Sequence, residues 1–487
     1  MSLSSIALDV YQLTTLFAHA AEGRLEEGDF GMSFFFRRLP KGRNYVVSCG
    51  ERSILEYCET VSFEKAELDF LASHPVLKEQ FLTPLGARIR DGLSKIQGFD
   101  GEIDMMPEGT LAFAGPAQKS DGSPFLIDGI PLSAYTPLAQ VQCNLLYCKL
   151  IETPWLSRLN HLSMVATKAA RVVSAACEDG VNRPVIEFGQ RRTHSQAAID
   201  ASYAAFVGGC RATSNLAASY RYGIPSVGTM DHFAVLACER LLSSSSETET
   251  GFFRRFWQLF PDQANLLVDT YDTWRGIKNA VCATDGKLLG VRLDSAVTPA
   301  AVRKARKLLD DLGAPNAKLF LSDGLDEYRV RELAEAGGDG FGVGENIVCS
   351  PDASAGVGAV GKLVRLPNGK LTMKWSRGSA KATLPGMLQV YRFSDHDVLA
   401  LRDEEPPKGG TPILRPFWRG KKCVAALRTP LETQEYVKEQ LARLPKQLRC
   451  LETAQPNTPL GPWPIHLSAH LERVIEDLYR SNFTPPA

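Results

Sequence analysis

The chain has 487 residues, of which 44% are hydrophobic and 23% charged, and its 55 basic side chains equal its 55 acidic ones. This length exceeds the usual size of a single hydrophobic core, so we predict two closely packed domains. The balanced charge excludes a basic nucleic-acid-binding domain, and no segment approaches the ~20 apolar residues of a membrane-spanning helix.

The cysteines and the first residues indicate a cytoplasmic protein. Eleven cysteines are scattered through the chain without a CxxC pair, which is typical of reduced intracellular thiols rather than of a disulfide framework. The start, MSLSSIALDVYQL, lacks the basic segment and apolar core of a signal peptide. We therefore expect a cytoplasmic location and neither a membrane nor a nucleic-acid partner.

The first part of the chain, residues 1–135, mixes strand and helix patterns without a regular repeat. The patterns predict strands at 32–36, 45–49 and 111–114, and helices at 50–60 and 63–73.

From about residue 140, short apolar runs alternate with helical segments, after a long helix predicted at 163–177. The alternating segments are 184–188, 197–207, 226–228, 232–242, 266–269, 288–293, 299–312, 318–321 and 326–336. A repeated strand–helix order predicts a parallel sheet with right-handed crossovers. Its ~200 residues reach the lower size of an α/β barrel, so we predict an irregular α/β barrel over residues 136–365.

Five polar residues each stand at or just after the end of an apolar run: Glu187, His232, Asp269, Asp294 and Asp323. In α/β barrels the chemistry lies at the carboxyl ends of the strands. The alternative for any one acidic residue is that it caps the following helix. All five together favour a functional face.

The rest of the chain departs from this rhythm. Residues 241–250 (LLSSSSETET) are of low complexity and are predicted to form a surface loop. Prolines and glycines interrupt the chain beyond residue 370, and a helix is predicted at 470–480. We expect the segment 366–487 to pack with the N-terminal residues as a second, α+β domain.

Several motifs, in order and spacing, resemble nicotinate phosphoribosyltransferases over essentially the whole chain. They are LDVYQL at 8–13, FFFRRLPKGRNY at 34–45, EFGQRR at 187–192, ATSNLA at 212–217, YGIPSVGTMDH at 222–232, VRLDS at 291–295, DGFGVG at 339–344 and TLPGMLQVYR at 383–392. The resemblance implies a type II phosphoribosyltransferase fold, in which an irregular α/β barrel lies beside a split α+β domain made from both chain ends. It also implies a homodimer with shared active sites.

The reaction that the resemblance implies joins the ring nitrogen of nicotinate to C1 of 5-phosphoribosyl pyrophosphate, giving nicotinate mononucleotide and pyrophosphate. ATP and Mg²⁺ are the implied cofactors, and ATP phosphorylates an active-site histidine that matches His232. An imidazole is a competent phosphoryl acceptor near neutral pH because its lone pair is free there. A histidine taken at random from the eight in the chain is more often structural or exposed, but the GTMDH context favours the functional interpretation.

The implied acceptor is a flat ring that bears a carboxylate, which aromatic faces and a guanidinium recognise by stacking and bidentate pairing. The resemblance places Phe188, Thr229 and Arg292 near the nicotinate, and it implies that Tyr11 arrives from the neighbouring subunit. Phe188 as plain core and Tyr11 as helix packing are the alternatives. Ser214 stands where a nicotinamide enzyme is expected to place an acid, which would repel a carboxylate and so favours nicotinate.

On the sugar side, the resemblance implies that Asp294 holds the ribose, where a carboxylate also stabilises the oxocarbenium-like cation at C1. Asp269 and Asp272 of VDTYD are candidate ligands of a magnesium–pyrophosphate assembly, because Mg²⁺ is bound by a few carboxylates together with phosphate oxygens. Their alternative is a solvated turn after a strand. Arg191 and Arg192 are expected to face the phosphates or the carboxylate.

The sequence departs from the family pattern beside two of these residues. The family continues DSGD after the barrel strand, but here Ala296 and Val297 follow Asp294-Ser295. The residue before the histidine is usually small, but here it is Asp231, whose carboxylate could raise the imidazole pKa or orient the ring.

A third departure lies in the predicted phosphate loop. Gly342 and Gly344 of DGFGVG match the family, but Glu345 and Asn346 replace the usual Thr-Ser. A carboxylate aimed at a phosphate is repulsive unless it turns outward or shares a cation. The hypotheses are thus an active nicotinate phosphoribosyltransferase, a diverged transferase with another acceptor or donor, and a catalytically silent nucleotide-binding relative.

Overall fold

The computed structural model describes residues 5–40, 42–238, 245–351, 358–376, 382–449, 451 and 462–483. The helices are, in chain order, α1 (Val10–Ala21), α2 (Glu51–Thr60), α3 (Lys65–Ser73), α4 (Lys78–Phe81), α5 (Pro84–Ser94), α6 (Leu145–Ala176), α7 (Ser195–Val207), α8 (Leu216–Tyr222), α9 (His232–Leu236), α10 (Ser245–Leu259), α11 (Thr273–Ala283), α12 (Pro299–Asp311), α13 (Glu327–Glu335), α14 (Glu345–Val348), α15 (Pro430–Arg443), α16 (Lys446–Arg449) and α17 (Ala469–Phe483). No helix in these ranges combines the length and the apolar character that crossing a membrane requires.

The barrel sheet has six parallel strands in the order β11-β10-β15-β14-β13-β12. Its strands are β10 (Val185–Glu187), β11 (Ala212–Thr213), β12 (Asn265–Leu267), β13 (Gly290–Leu293), β14 (Lys318–Leu321) and β15 (Gly340–Val343). Helices connect the strands, as parallel pairing requires. The predicted α/β fold class is therefore confirmed.

The segment 225–230 lies between the two edge strands of this sheet, β11 and β12. Thr213 donates its N–H to the Pro225 carbonyl at 3.1 Å, and Leu267 donates its N–H to the Met230 Sδ at 3.4 Å. Where a strand was predicted at 226–228, the structure has a single parallel bridge between Thr213 and Ser226. The segment thus links the sheet edges and brings its last residues to the carboxyl face of the sheet.

Two further six-stranded sheets combine early and late parts of the chain. The first contains, in spatial order, β16 (Ala359–Arg365), β1 (Phe30–Phe36), β9 (Pro137–Cys143), β3 (Gly101–Met105), β20 (Arg415–Gly420) and β21 (Lys422–Cys423). The second contains β19 (Thr411–Pro412), β17 (Leu388–Arg392), β18 (Asp397–Leu401), β22 (Ile465–Leu467), β5 (Ala114–Gln118) and β8 (Ser133–Tyr135). Two short antiparallel pairs are β2 (Val46–Val47) with β4 (Leu111–Ala112), and β6 (Leu126–Ile127) with β7 (Ile130–Pro131).

Strands from both chain ends pair directly. β3 pairs with β20, and β22 lies between β18 and β5. β9 and β16 fall inside the range 136–365 but pair with β1 rather than with the barrel strands. The barrel strands themselves occupy residues 185–343, and the division of the chain at 135/136 and 365/366 stays a prediction.

Helix α6 is twice as long as predicted, because the sequence pattern favoured a helix only from residue 163. It begins at Asn144, whose side chain accepts a hydrogen bond from the Tyr147 N–H at 3.2 Å, and it continues through Pro154. A proline inside a helix leaves the carbonyl four residues earlier without its N–H partner. Here the Tyr57 hydroxyl donates to that carbonyl, on Leu150, at 3.1 Å, so a tertiary contact replaces the missing bond.

The prediction of a surface loop at 241–250 is wrong for the second half of that segment. Residues 245–250 form the first turns of α10, and Thr248 and Glu249 are fully buried; residues 241–244 lie outside the described part. The aromatic residues that follow explain the difference, since Phe253 is buried and anchors the helix to the core. Glu249 accepts a hydrogen bond from the Asn279 side chain at 2.7 Å, and burial raises the pKa of Glu249.

A buried ion cluster joins the barrel to the rest of the molecule. Glu327, at the start of α13, contacts Lys168 Nζ at 2.5 Å, Arg171 Nε at 3.0 Å and Arg43 Nη1 at 3.7 Å, and each of these side chains is at least 97% buried. Arg171 also donates to the Leu451 carbonyl at 3.1 Å. Burial raises the pKa of Glu327, but the charges and hydrogen bonds of its basic neighbours outweigh burial, and the pKa is lowered.

Candidate active site

Three of the predicted site residues meet at the carboxyl ends of β12 and β13. His232 Nε2 lies 3.9 Å from Asp269 Oδ1 and 4.0 Å from Asp294 Oδ2. The other ring nitrogen, Nδ1, lies 3.1 Å from the Thr270 hydroxyl. Asp269 follows β12 and Asp294 follows β13, which are hydrogen-bonded neighbours, so strand order brings both carboxylates to the imidazole.

Arg292 completes this group from β13. Its Nη2 lies 3.1 Å from Asp294 Oδ1, and its Nε donates to the Ser322 hydroxyl at 3.0 Å. Ser322 in turn donates to Asp294 Oδ1 at 2.5 Å. The Arg292 side chain is 16% exposed, and its guanidinium carbon lies 5.3 Å from the centre of the Phe188 ring. The charged pair is therefore held in one orientation beside an aromatic face.

Two glycines, Gly342 on β15 and Gly344 just after it, leave room for Phe188. A Cβ added to Gly342 would meet the Phe188 ring at 2.4 Å, and one added to Gly344 would meet the Phe188 carbonyl oxygen at 3.0 Å. Phe320, on β14, lies on the other side, with its ring centre 6.0 Å from that of Phe188. The glycines that sequence analysis assigned to substrate binding thus also provide the space in which this ring lies.

The acidic residue that precedes the histidine has a structural function. Asp231 is the N-cap of α9, and its carboxylate accepts a hydrogen bond from the Ala234 N–H at 3.0 Å. His232 is the first residue of that helix, so the cap fixes the backbone that carries the imidazole. The helix predicted at 232–242 ends at Leu236, and residues 239–242 lie outside the described part.

The two candidate magnesium ligands differ in their surroundings. Asp269 is 2% exposed; its Oδ2 accepts from the Asp294 N–H at 2.7 Å, while Oδ1 is buried without a hydrogen-bond partner among the described residues. Asp272 caps α11 by accepting from the Arg275 N–H at 2.8 Å. The described residues contain no group of three or more His, Cys, Asp or Glu side chains arranged to hold a metal. A cation there would accordingly depend on substrate oxygens for much of its coordination.

Other predicted residues lie around this group without a direct contact to it. Ser214 follows β11, is half-buried, and donates its N–H to the Glu187 carbonyl at 3.0 Å. Thr229 is half-buried, three residues before His232. Arg191 and Arg192 are exposed on a short 3₁₀ turn after β10.

Glu187 is a structural residue of the barrel rather than part of the open face. It is fully buried at the end of β10, and its carboxylate accepts hydrogen bonds from Ser202 at 2.8 Å, Thr213 at 2.6 Å and the Gly189 N–H. The sequence pattern placed it correctly at a strand end, but it could not reveal that three donors satisfy it internally.

Tyr11 lies on α1, and its side chain is 51% exposed. This helix packs against α5 and α6, outside the barrel sheet. Burial and the charge of Glu152 raise the pKa of the Tyr11 hydroxyl. Its predicted contribution to a neighbouring subunit's site stays a prediction.

The departures from the family pattern have visible consequences for the backbone. Ala296 has a φ of 51°, in the left-handed region that favours glycine, and Asp323, after the neighbouring strand, has a φ of 133°. Val297 is buried, and its N–H donates to Asp323 Oδ2 at 3.4 Å. Ala296 thus keeps a glycine-like conformation in spite of its side chain.

Glu345 and Asn346 begin the short helix α14 in the predicted phosphate loop. The Glu345 side chain is exposed. Asn346 donates to the carbonyls of Gly324 and Leu325, each at 3.0 Å, and so ties this loop to the one that follows β14. Asn346 therefore connects the loop after β15 to the loop after β14.

Sequence analysis missed two residues that touch the central group, Thr270 and Ser322. Ser322 directly follows β14 and Thr270 lies three residues after the end of β12, and each is next to a residue that was singled out, Asp323 or Asp269. A search for hydroxyl side chains at the same strand ends would have found them, because such groups orient charged neighbours by hydrogen bonding.

The sequence matches two family models. Residues 6–114 match the nicotinate phosphoribosyltransferase N-terminal domain, and residues 184–368 match the nicotinate phosphoribosyltransferase family. The nicotinate phosphoribosyltransferase pncB2 of Mycobacterium tuberculosis is 32% identical over 466 residues, covering 92% of this chain and 89% of the relative. The nicotinate phosphoribosyltransferase of Bacillus subtilis is 33% identical over 420 residues, covering 82% of this chain and 77% of the relative.

Solved structures show the same fold. Human nicotinic acid phosphoribosyltransferase superposes with a TM-score of 0.73 over 96% of this chain and 99% of that chain, at 23% identity. A nicotinate-nucleotide pyrophosphorylase from Pyrococcus furiosus superposes with a TM-score of 0.68 over 90% of this chain and 95% of that chain, also at 23% identity.

Proposed function

This chain belongs to the nicotinate phosphoribosyltransferase family of enzymes, and we propose that it joins nicotinate to 5-phosphoribosyl pyrophosphate in NAD salvage, giving nicotinate mononucleotide and pyrophosphate. The observation that carries the proposal is the convergence of His232, Arg292 and Asp294 beside the Phe188 ring. Arg292 with the Phe188 ring suits the acceptor, Asp294 suits the sugar donor, and His232 suits the phosphoryl chemistry.

The nicotinate ring stacks on Phe188, and its carboxylate pairs with Arg292. Arg292 uses Nε for Ser322 and Nη2 for Asp294, so Nη1 is the nitrogen that these contacts do not occupy. A guanidinium fixed in this way recognises a planar carboxylate with little loss of side-chain entropy. Ser214 and Thr229 form the remaining polar wall of the acceptor site.

Asp294 acts on the sugar. Its Oδ1 is held by Ser322 and Arg292, and its Oδ2 faces His232. As the bond from C1 to pyrophosphate breaks, positive charge develops on the ribose ring, and a fixed carboxylate stabilises that charge without reorganising. The backbone N–H groups that follow Gly342 and Gly344, with Arg191, bind the phosphates.

His232 accepts the phosphoryl group of ATP on Nε2. When Nδ1 donates its hydrogen to the Thr270 hydroxyl, Nε2 carries the free lone pair. That lone pair attacks the γ-phosphorus, the bond to ADP breaks, and the ring keeps its Nδ1 proton. Mg²⁺ would screen the phosphate charges, and Asp269, whose Oδ1 lacks a hydrogen-bond partner in the described part, suits it better than Asp272, which also caps α11.

The active unit is a homodimer in which each site is completed by Tyr11 of the other copy. Exposure of Tyr11 on α1, outside its own barrel, supports this arrangement. A Tyr11→Ala chain should raise the KM for nicotinate, and mixing it with a His232→Ala chain should restore part of the activity, since hybrid dimers would contain one intact site.

The test of the proposal is product analysis with nicotinate, nicotinamide and quinolinate, each with 5-phosphoribosyl pyrophosphate, with and without ATP. We expect nicotinate mononucleotide, formed faster with ATP. Radiolabel from γ-labelled ATP should appear on the wild-type chain and on a His194→Ala control, whose histidine is exposed at the start of α7, but not on His232→Ala.

If none of the three rings reacts, the proposal is wrong, and the absence of label from both chains would favour a silent relative. Turnover of another ring in preference to nicotinate would identify a diverged transferase. The departures from the family pattern at Ala296, Val297 and Glu345 are the observations that favour this second candidate.

A further inference from the structure

A cavity of about 440 Å³ lies in the α+β part of the molecule, and none of its lining residues belongs to the barrel site. It is bounded by the start of α2, the turn at 107–108, β20, the segment 425–428 and α15. We call it the arginine cavity, and its polar lining is made by Glu51, Arg52, Glu108, Arg415 and Arg428.

Three guanidinium groups face this space. Arg52 donates to the Tyr203 hydroxyl at 3.3 Å and to the Arg428 carbonyl at 2.7 Å, so it is held in place by neutral acceptors. The Arg428 guanidinium lies over the Tyr436 ring at 3.8 Å, and Arg415 is exposed on β20. In the described ranges no carboxylate lies within 4.0 Å of these three guanidinium groups.

Among the lining residues, Glu108 is the carboxylate whose charge acts on Arg52, and its oxygens are engaged in other contacts; outside the lining, Glu56 also acts on Arg52, and Glu432 interacts electrostatically with Arg428. Glu108 Oε1 accepts from the Gly50 N–H at 2.9 Å and lies 3.6 Å from Cys49 Sγ, and Oε2 accepts from the Tyr203 hydroxyl. A carboxylate with its oxygens satisfied in this way does not turn toward the cavity. The lining contains three guanidinium groups against the two carboxyl groups of Glu51 and Glu108.

Glu51 lies at the base of the cavity and is a neutral group rather than an anion. It is 99% buried, Ser48 donates to its Oε1, and its Oε2 has no hydrogen-bond partner among the described residues. Burial, and then the charge of Glu108, raises the pKa of Glu51 to about 8. At neutral pH its carboxyl group keeps its proton, so Glu51 adds no negative charge to the cavity.

We propose that the arginine cavity binds a phosphate monoester with a small apolar or ring-shaped body. The guanidinium groups that face the space are hydrogen-bond donors, and a dianionic phosphate presents acceptor oxygens and the charge that these three groups would neutralise. Phe417, Pro107 and Pro416 form an apolar wall for the rest of the ligand. The volume lies within the range of small-molecule sites.

The probe is phenyl phosphate, and binding is followed by titration calorimetry at pH 7 and fixed salt. We expect saturable binding that persists in an Arg191→Gln chain, which lacks the side chain proposed to bind phosphate in the barrel site. A double Arg415→Gln/Arg428→Gln chain should bind at least ~10-fold more weakly, because charge-assisted hydrogen bonds are lost. Arg443→Gln, on the exposed side of α15, is the matched control and should bind as the wild type does.

Two further measurements separate the alternatives. Benzoate has the same ring with a monoanionic carboxylate; equal or tighter binding of benzoate would replace the phosphate proposal by a carboxylate site. Glu51→Gln keeps a neutral side chain and should bind within ~3-fold of the wild type, with an unchanged melting midpoint as the folding check. Unchanged binding in the double arginine variant, or loss of binding in Arg191→Gln, overturns the proposal.

Discussion

Two residues that follow the barrel strands have backbone conformations that favour glycine. Ala296 and Asp323 follow neighbouring strands, and both have positive φ angles that a Cβ makes unfavourable. Such strain persists only where surrounding contacts impose it, and here the Val297 N–H to Asp323 hydrogen bond joins the two loops. The substitution of the family glycine by Ala296 therefore changes local energy rather than the path of the chain.

Replacing Ala296 by glycine should stabilise the protein. The left-handed conformation costs a non-glycine residue ~1–2 kcal/mol, which exceeds the entropy that glycine adds to the unfolded chain, so we expect a net gain of ~0.5–1 kcal/mol and a higher melting midpoint. The control is Ala87→Gly, at an exposed position of α5, where the midpoint should fall. A lower midpoint for Ala296→Gly would contradict the assignment of strain.

A methyl group at Gly342 should damage acceptor binding while leaving the fold intact. Its Cβ would lie 2.4 Å from the Phe188 ring, which must then move from the position proposed for nicotinate stacking. We expect the KM for nicotinate to rise at least ~10-fold in Gly342→Ala. In the control Gly115→Ala, the nearest atom lies 4.0 Å from the added Cβ, and steady-state kinetics should match the wild type.

At the scale of elements, the short helix α9 is what orients the imidazole. Its five residues are too few for intrinsic stability, so the Asp231 cap supplies a large share of its order. Asp231→Asn keeps a capping oxygen and should retain most activity, whereas Asp231→Ala should lose ~1 kcal/mol of local stability and at least ~5-fold in kcat.

The matched control is Thr83→Ala, which removes the cap of α5, where the threonine hydroxyl accepts from the Gly86 N–H at 3.1 Å. It should lower the melting midpoint by a similar amount and leave kcat unchanged. Equal kcat for Asp231→Ala and wild type would show that the cap does not position His232.

The sequence predicted the barrel elements well where local pattern and tertiary packing agree. The strand at 318–321 has the predicted bounds, and α12 and α13 begin and end within one residue of expectation. The sequence-based prediction failed where contacts with residues distant in the sequence determine the secondary structure. Tyr57 supports the proline inside α6, and core contacts of Phe253 draw a polar run into α10.

The candidate site, like the fold, was only partly predictable from the sequence. Strand-end position brought His232, Asp269 and Asp294 together, as the pattern indicated. The pattern did not distinguish an open carboxylate from an internally satisfied one, which is why Glu187 and Asp269 looked alike. Hydrogen-bond partners such as Ser202 and Thr213 come from other elements, and spacing along the chain does not reveal them.

At the scale of the whole molecule, the ion cluster around Glu327 should be a principal source of cohesion. Glu327→Gln removes the carboxylate that three buried basic side chains share, and breaking such a buried cluster costs ~3–5 kcal/mol. We expect a large fall in the denaturant midpoint of unfolding.

Glu332→Gln, on the same helix, is the control for that measurement. Glu332 pairs with Arg329 at 3.7 Å on an exposed surface, where ion pairs contribute ~0–1 kcal/mol. A shift for Glu327→Gln no larger than that of the control would show that the cluster is not needed for stability.

The pairing of β22 between β18 and β5 has a consequence for biosynthesis. Residues 465–467 form an inner strand of a sheet whose other members begin at residue 114, so a growing polypeptide carries an unfilled gap in that sheet until residues 465–467 have been translated. By contrast, all six strands of the barrel sheet lie within residues 185–343 and are therefore made before β22. A chain released before residues 465–467 are made should therefore have a folded barrel sheet but unpaired strand edges in the other sheet. Such edges promote aggregation, so we expect chaperones to bind this incomplete chain.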